Sequence, residues 1–288
     1  MAGRVFALWI AALAATLPNV SGAVGFTGIY VFGDSLTDTG NACSSPCPGY
    51  PVPPYYSGRF SNGPVWIEGV ATALGLSLSP SNAGGNNYAV GGATTVDVSA
   101  SQVPDYLLDA SGAADPTGLY VLMAGGNDGL GGGSAGTAAA SMLAAIDDLK
   151  AAGAQYLFVS NLPDLSLTPV AFGNPVAQQF SLDFNAALAV GLSSLTGITL
   201  YEFDFYSLVN DTVAHPASYG FSNVDSACWD GVAVCANPNE YLFWDRLHPT
   251  STAHEWIASA ALLAVPEPGS CVLVFLGLLI LSTRRATR

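Results

Sequence analysis

The sequence predicts an α/β fold, a three-layer α/β/α sandwich on a mostly parallel five-stranded sheet. Two observations carry this: short, nearly uninterrupted apolar runs of strand length, and helix-period stretches that separate them. Strands covered on both faces read as continuous apolar runs, and strands alternating with helices form βαβ units. At 288 residues, half of them apolar, the chain is long enough for one such domain with a sizeable core.

The first run, 28–32 (Gly-Ile-Tyr-Val-Phe), precedes a helical pattern at 64–74, and a shorter run follows at 87–90 (Asn-Tyr-Ala-Val). The run at 118–124 (Gly-Leu-Tyr-Val-Leu-Met-Ala) leads through glycine-rich 129–136 into a helical pattern at 136–152. The run at 154–160 (Ala-Gln-Tyr-Leu-Phe-Val-Ser) is followed by a helical pattern at 175–194, and 198–203 (Ile-Thr-Leu-Tyr-Glu-Phe) is the last strand run. A long connection of little periodicity, 210–241, then leads to a final helical pattern at 251–263. Connections of that length are usually functional or internally fastened, so this one is expected to form a wall or lid of the site. There is no internal repeat or heptad array. Gly91-Gly92 and Gly125-Gly126 lack both the GxGxxG spacing and the GxxxxGK[ST] lysine of phosphate-binding loops.

Attachments are expected at both ends. Arg4, an apolar stretch at 5–17 and small residues through Ala23 have the layout of a secretory signal peptide over 1–23, leaving a main domain at 24–264. The tail, 265–288, holds Val265-Pro266-Glu267-Pro268, an apolar stretch, and Arg284, Arg285 and Arg288. Its uncharged part would reach only about 22 Å as a helix against a hydrocarbon core of about 30 Å, a gap that arginine snorkelling or bilayer thinning closes. This order resembles the bacterial PEP-CTERM sorting signal. The resemblance implies export across the inner membrane of a Gram-negative cell and cleavage by an exosortase-type membrane transpeptidase. The protein would then reside in the periplasm, on the cell surface or in the extracellular matrix, with a transient or permanent membrane anchor. The terminal arginines fit the positive-inside rule.

Within 24–264 the cations are Arg59, Lys150 and Arg246 against twenty acids, a net charge of −17. Such a domain repels a phosphate backbone, which excludes nucleic acid as a partner, and it repels most anionic membrane surfaces. Four of the five cysteines lie in the domain as two close pairs, Cys43 with Cys47 and Cys228 with Cys235. Three connectivities are open to four cysteines. The two local bridges are favoured, because each would fasten a loop without periodicity. Neither spacing brings the second pair or histidine set that zinc requires.

Four segments carry candidate chemistry. Ser35, in Val31-Phe32-Gly33-Asp34-Ser35-Leu36-Thr37-Asp38, follows the first strand run and is either a nucleophile or, like Asp38, a helix cap. In Asn87-Tyr88-Ala89-Val90-Gly91-Gly92-Ala93 a glycine after a short strand offers its N–H to an oxyanion or simply makes a turn. In Gly125-Gly126-Asn127-Asp128 the Asn amide donates to the same oxyanion or forms an Asx-turn. In Asp245-Arg246-Leu247-His248, residues three apart share a face of one helical turn, so the carboxylate can meet Nδ1–H and leave Nε2 free; the alternative is a surface pair. His215, in the long connection, and His254, on the final helix, are weaker candidates. Ser35 and Gly125–Asp128 both follow strands directly and so share the carboxyl edge of the sheet, where ligands bind in such folds.

The order Ser, Gly, Asn, then Asp-x-x-His over nearly all of the domain resembles the GDSL esterase/lipase family, also called the SGNH hydrolase fold. Phe-Gly-Asp-Ser-Leu-Thr-Asp-Thr-Gly-Asn and Asn-Tyr-Ala-Val-Gly-Gly-Ala are most similar to its bacterial secreted lipase and phospholipase-like branch. The resemblance implies Ser35 as nucleophile, His248 as general base and acid, and Asp245 as its orienting group. It implies an oxyanion hole of the Ser35 N–H, the Gly92 N–H and the Asn127 side chain, with Gly91 as a substitute for Gly92, and neither cofactor nor metal. The expected activity is serine ester hydrolysis through an acyl-enzyme. Lipid or small-molecule esters fit the branch, whereas acetylated exopolysaccharide fits the sorting tail. Acyl transfer and a non-catalytic surface or matrix role are the other readings.

Overall fold

The computed structural model describes residues 25–42 and 50–265. The expected signal peptide, the sorting tail, and Cys43 and Cys47 lie outside the described residues. The elements run β1 (Ile29–Gly33), α1 (Trp66–Ala73), α2 (Thr95–Asp97), α3 (Val103–Asp109), β2 (Leu119–Met123), α4 (Gly126–Leu130), α5 (Ala135–Ala151), β3 (Tyr156–Ser160), α6 (Pro175–Ser193), β4 (Thr199–Phe203), α7 (Phe205–Ala214), β5 (Asn223–Ala227), β6 (Tyr241–Phe243) and α8 (Ser251–Ala264). A π-helical turn, Val98–Gln102, joins α2 to α3.

β1 to β4 form one parallel sheet in sequential order. Successive side chains point to opposite faces. Ile29, Val31, Val121 and Phe158 pack against Trp66 and Ile67 of α1 and Ile257 of α8. Phe32, Tyr120, Leu122 and Leu157 face Met142 and Ile146 of α5 and Phe184 of α6. Two helical layers on one sheet make the expected sandwich, and all five residues of β2 are buried.

The expected fifth strand, 87–90, runs beside β1: the Tyr88 N–H donates to Val31 at 2.7 Å and the Val90 N–H to Gly33 at 3.1 Å. It shares only a single bridge with β1, Val31 with Asn87, because the Asn87 backbone groups turn the other way, to Ser79 and Ser81, where Asn87 also bridges Pro80. β1 to β4 are therefore the regular ladder, with 87–90 as an extended edge.

The connection 210–241 is more ordered than its sequence suggests. It contains the end of α7 and β5, and β5 pairs with β6 in a separate two-stranded sheet. The Cys228–Cys235 disulfide closes a small loop within it, as the local pairing expected. Among the described residues no helix is long and apolar enough to cross a membrane.

α8 packs on α1 through a buried contact in which the Trp66 backbone N–H donates to His254 Nδ1 at 3.2 Å. Burial, with the nearby His248 charge, pushes His254 down to about 3. The folded state thus keeps this imidazole neutral at a pH where the unfolded chain, near 6.5, already binds a proton. Stability tied to it is full above pH 6.5 and is lost as pH falls from 6.5 toward 3, by about 1.4 kcal/mol per pH unit. His254→Gln, which keeps an acceptor, should flatten the decline of melting temperature between pH 6.5 and 4. Parallel declines in the two proteins would contradict this role.

Candidate active site

The site is built at the carboxyl edge of the sheet. Gly33 at the end of β1 pairs with Met123 at the end of β2, so the turns after both strands emerge side by side. After β1 the chain makes a tight turn in which the Thr37 and Asp38 amides donate to the Asp34 carbonyl, at 3.1 and 3.0 Å. No helix begins here, so neither Ser35 nor Asp38 is a helix cap. The Gln102 side chain, from the π-helical turn, donates to the Gly33 carbonyl and accepts from its N–H, each at 2.8 Å, fixing the strand end behind the turn.

Ser35, Asp245 and His248 meet. Ser35 Oγ lies 2.8 Å from His248 Nε2, and Asp245 Oδ2 lies 2.7 Å from Nδ1. Asp245 and His248 are not on a helical turn as the spacing suggested. Instead Asp245 Oδ1 accepts the Leu247 and His248 backbone N–H groups, both at 2.7 Å, and this Asx-type turn curls the loop between β6 and α8. Burial raises the Asp245 carboxyl, but the hydrogen bond and charge of His248, the backbone amide and the Tyr55 hydroxyl outweigh it and bring it down to about 2. It is therefore a carboxylate at any working pH. Of the other histidines, His215 pairs with Asp211 on exposed α7 and His254 is buried under α1.

Asp38 binds the Ser35 turn to the glycine loop. Its Oδ1 accepts the Gly40 and Asn41 amides, at 2.7 and 2.6 Å, and its Oδ2 the Ala42 and Gly91 amides, at 2.9 and 2.8 Å. The Gly91 N–H is thus occupied, and a Cβ on Gly91 would lie 2.1 Å from the Phe60 ring. Gly92, with φ +85°, makes no backbone hydrogen bond among the described residues, and neither does the Ser35 amide. Of the two candidate glycines, Gly92 is the one with a free donor. Asn127, at the start of α4, donates one amide hydrogen to the Ala93 carbonyl at 2.8 Å, which leaves the second available. Asp128 beside it binds the Thr95 amide and hydroxyl, both at 2.9 Å, and so anchors α4 to α2.

An apolar cleft of about 900 Å³, counting space open to solvent, begins at Ser35 and Asn127. Leu162, Phe205, Leu208, Phe221, Trp256 and Ile257 line it. Phe221 comes from the long connection, which therefore does form a wall. Asp34 also borders the cleft. Burial first, with the neighbouring Asp128 and Asp38 charges, pushes its carboxyl up to about 6 against the opposing Leu36 amide and His248 charge. Among the described residues no group of His, Cys, Asp and Glu is arranged to hold a metal ion.

Sequence reasoning missed Tyr55, whose hydroxyl donates to Asp245 Oδ2 at 2.7 Å, and Phe60, whose ring tilts against the His248 ring at 5.1 Å. It also missed Gln102 and Asn41. The Asn41 amide donates to the Asn87 and Ala89 carbonyls, at 2.6 and 2.9 Å. All four act across gaps in sequence that no local pattern records.

Fold and constellation together define the class of three-layer α/β proteins with a Ser-His-Asp arrangement at the carboxyl edge of a parallel sheet. Within that class the GDSL-like Lipase/Acylhydrolase family model matches residues 29–261, and the chain belongs to that family. It is 31% identical to Esterase EstA of Pseudomonas aeruginosa, over 84% of this chain and 47% of that protein. It is 28% identical to the phosphatidylcholine-sterol acyltransferase of Aeromonas hydrophila, over 89% of this chain and 95% of that protein. The chain spans about half the length of the Pseudomonas relatives it matches. Among solved structures it is similar to a member of the lipolytic G-D-S-L family from Veillonella parvula, with TM-score 0.50 and 18% identity, covering 82% of this chain and 96% of that one. It is also similar to a mutant of Axe2, an acetyl-xylooligosaccharide esterase from Geobacillus, with TM-score 0.51 and 17% identity, covering 84% of this chain and 95% of that one. At these identities the structural likeness is one of fold.

Asp38→Asn would turn an NH₂ group toward amides that need an acceptor. It should cost about 3 kcal/mol of stability, given the strength of hydrogen bonds to charged groups. Thermal melting at neutral pH checks this, and an unchanged melting temperature would show that the two loops are held otherwise.

Proposed function

We propose that this protein is a serine ester hydrolase that works through an acyl-enzyme and prefers esters with an apolar acyl chain. The observation that carries the reading is the continuous relay from Ser35 Oγ through His248 to Asp245, opening on an apolar cleft. A serine hydroxyl is a weak nucleophile until a base takes its proton, and the base needs a third group to hold its tautomer. Here Nδ1–H faces the Asp245 carboxylate, so Nε2 is the free acceptor.

Ser35 Oγ attacks the ester carbonyl carbon while its proton passes to Nε2. The resulting oxyanion receives the Ser35 and Gly92 amides and the spare hydrogen of Asn127. The tetrahedral adduct collapses by breaking the bond to the alcohol oxygen, which leaves with the proton from His248. Water then attacks the acyl-enzyme by the same route and releases the carboxylic acid and free Ser35. Each oxyanion donor of this kind typically contributes about 2.7–4 kcal/mol to the transition state.

The cleft favours an extended apolar acyl group over the acetyl group of a polysaccharide ester. An acetyl group would leave its apolar walls largely uncovered, whereas each methylene buried there contributes about 0.8 kcal/mol, or about fourfold in kcat/KM. Export and surface sorting are part of the same proposal, supported by the layout of residues 1–23 and 265–288. An exosortase-type enzyme would be the processing partner.

With p-nitrophenyl esters, kcat/KM should rise by about fourfold per methylene from acetate through butyrate to hexanoate, and Ser35→Ala should abolish turnover. A maximum at acetate, with faster release of acetate from acetylated polysaccharide, would overturn the acyl preference. Equal rates for the parent and Ser35→Ala would overturn the hydrolytic reading itself.

A further inference from the structure

Resting on that hydrolytic reading, we infer that Tyr55 is a positioning residue of the Asp245–His248 pair: its hydroxyl fixes the carboxylate and tempers the carboxylate's hold on the imidazole. The four hydrogen bonds of Asp245 divide evenly. Oδ1 takes the Leu247 and His248 amides, and Oδ2 is shared by His248 Nδ1 and the Tyr55 hydroxyl, both at 2.7 Å. A phenol donating to the same oxygen that faces the imidazole withdraws charge from it. It also locks the rotation of the carboxylate, so that this oxygen and not its twin faces Nδ1.

The phenol is built in. Its ring makes edge contacts with Phe60 at 6.4 Å and Trp244 at 6.2 Å, and Phe60 in turn covers the His248 ring. The segment is tied down just beyond this contact. Arg59 pairs with Glu68 on α1, and the Ser61 hydroxyl donates to the Pro249 carbonyl at 2.9 Å. Residues 52–61 thus form a strap across the Asp245–His248 loop. Burial and the adjacent carboxylate hold the Tyr55 phenol well above its ordinary value, so it stays a donor throughout the working range.

Other titratable groups near the pair are Asp34 and His254, which feel the His248 charge, and Tyr50, beside Tyr55. Arg246 lies between the two members of the pair, and its backbone carbonyl accepts the Val170 N–H. Among the described residues none of these hydrogen-bonds to the Asp245 carboxylate, so the effect of removing the phenol is assignable to Tyr55.

Tyr55→Phe keeps the ring and its packing and removes only the donor. Relative to the parent, kcat for a p-nitrophenyl ester should fall about tenfold with KM within twofold, because orientation is lost and not substrate binding. The acid limb of kcat/KM should move up by about half a pH unit, because the less restrained carboxylate favours the imidazolium. NMR of the His248 ring should show its pH-dependent signals moving by the same amount, a readout that needs no turnover. Unmoved ring signals and an unmoved acid limb, whatever the change in kcat, would reduce Tyr55 to packing and overturn the inference. A shift of the ring signals between a parent that hydrolyses no ester and its Tyr55→Phe variant would uphold the coupling and sink the hydrolytic reading, so the two failures are separable.

Discussion

The buried carboxylate of Asp38 is the contact on which the geometry of this site depends. It is fully enclosed, and it accepts four backbone amides from two loops that are about fifty residues apart in sequence. Removing a carboxylate from water is costly unless its lone pairs are filled, and here every donor comes from the main chain. Burial raises its carboxyl, the four amides draw it back, and the net is upward. Because one of those amides belongs to Gly91, the same contact sets where the next amide, that of Gly92, must lie. Asn41 and Asn87 add buried side-chain bonds across the same junction.

Three carboxylates within this edge of the sheet are given different characters by their surroundings. Asp245 is surrounded by donors and sits far below its ordinary range, which keeps it an anion facing the imidazole. Asp34, beside Ser35, accepts among the described residues only the Leu36 amide and borders an apolar cleft, which raises it. Asp38 lies between them in kind, buried yet filled. The same residue type thus faces an imidazole, borders an apolar cleft and clamps two loops.

The sandwich was legible because strands buried on both faces must be apolar throughout, as 28–32 and 118–124 are. The edge at 87–90 was legible as extended chain but not as an irregular strand, since its extra partners come from Ser79 and Ser81. The helical stretch from α2 to α3 left no trace in the apolar pattern; its π turn and Pro104 interrupt the period on which such readings rest. α7 was missed between the last strand run and the long connection, whose start it overlaps, although Asp204 caps it by accepting the Ser207 amide. Ser35, Asp245 and His248 were legible as residue types in an order, and Gly92 and Asn127 as alternatives. The bond from Asp245 to His248 Nδ1 was legible, but the turn that makes it was misread as helical, because an Asx-type turn and a helical turn share the spacing of three. Tyr55 could not be read at all, being 190 residues from its partner.

The chemistry proposed for this site requires Ser35 to be an activated nucleophile and not an ordinary surface hydroxyl. A fluorophosphonate probe reports this directly, because it reacts with a serine whose proton a base can take. Mass spectrometry of the labelled protein should show one adduct per chain on the peptide bearing Ser35, with none in Ser35→Ala and slow labelling in His248→Ala. An unlabelled Ser35 in folded protein would contradict the central claim.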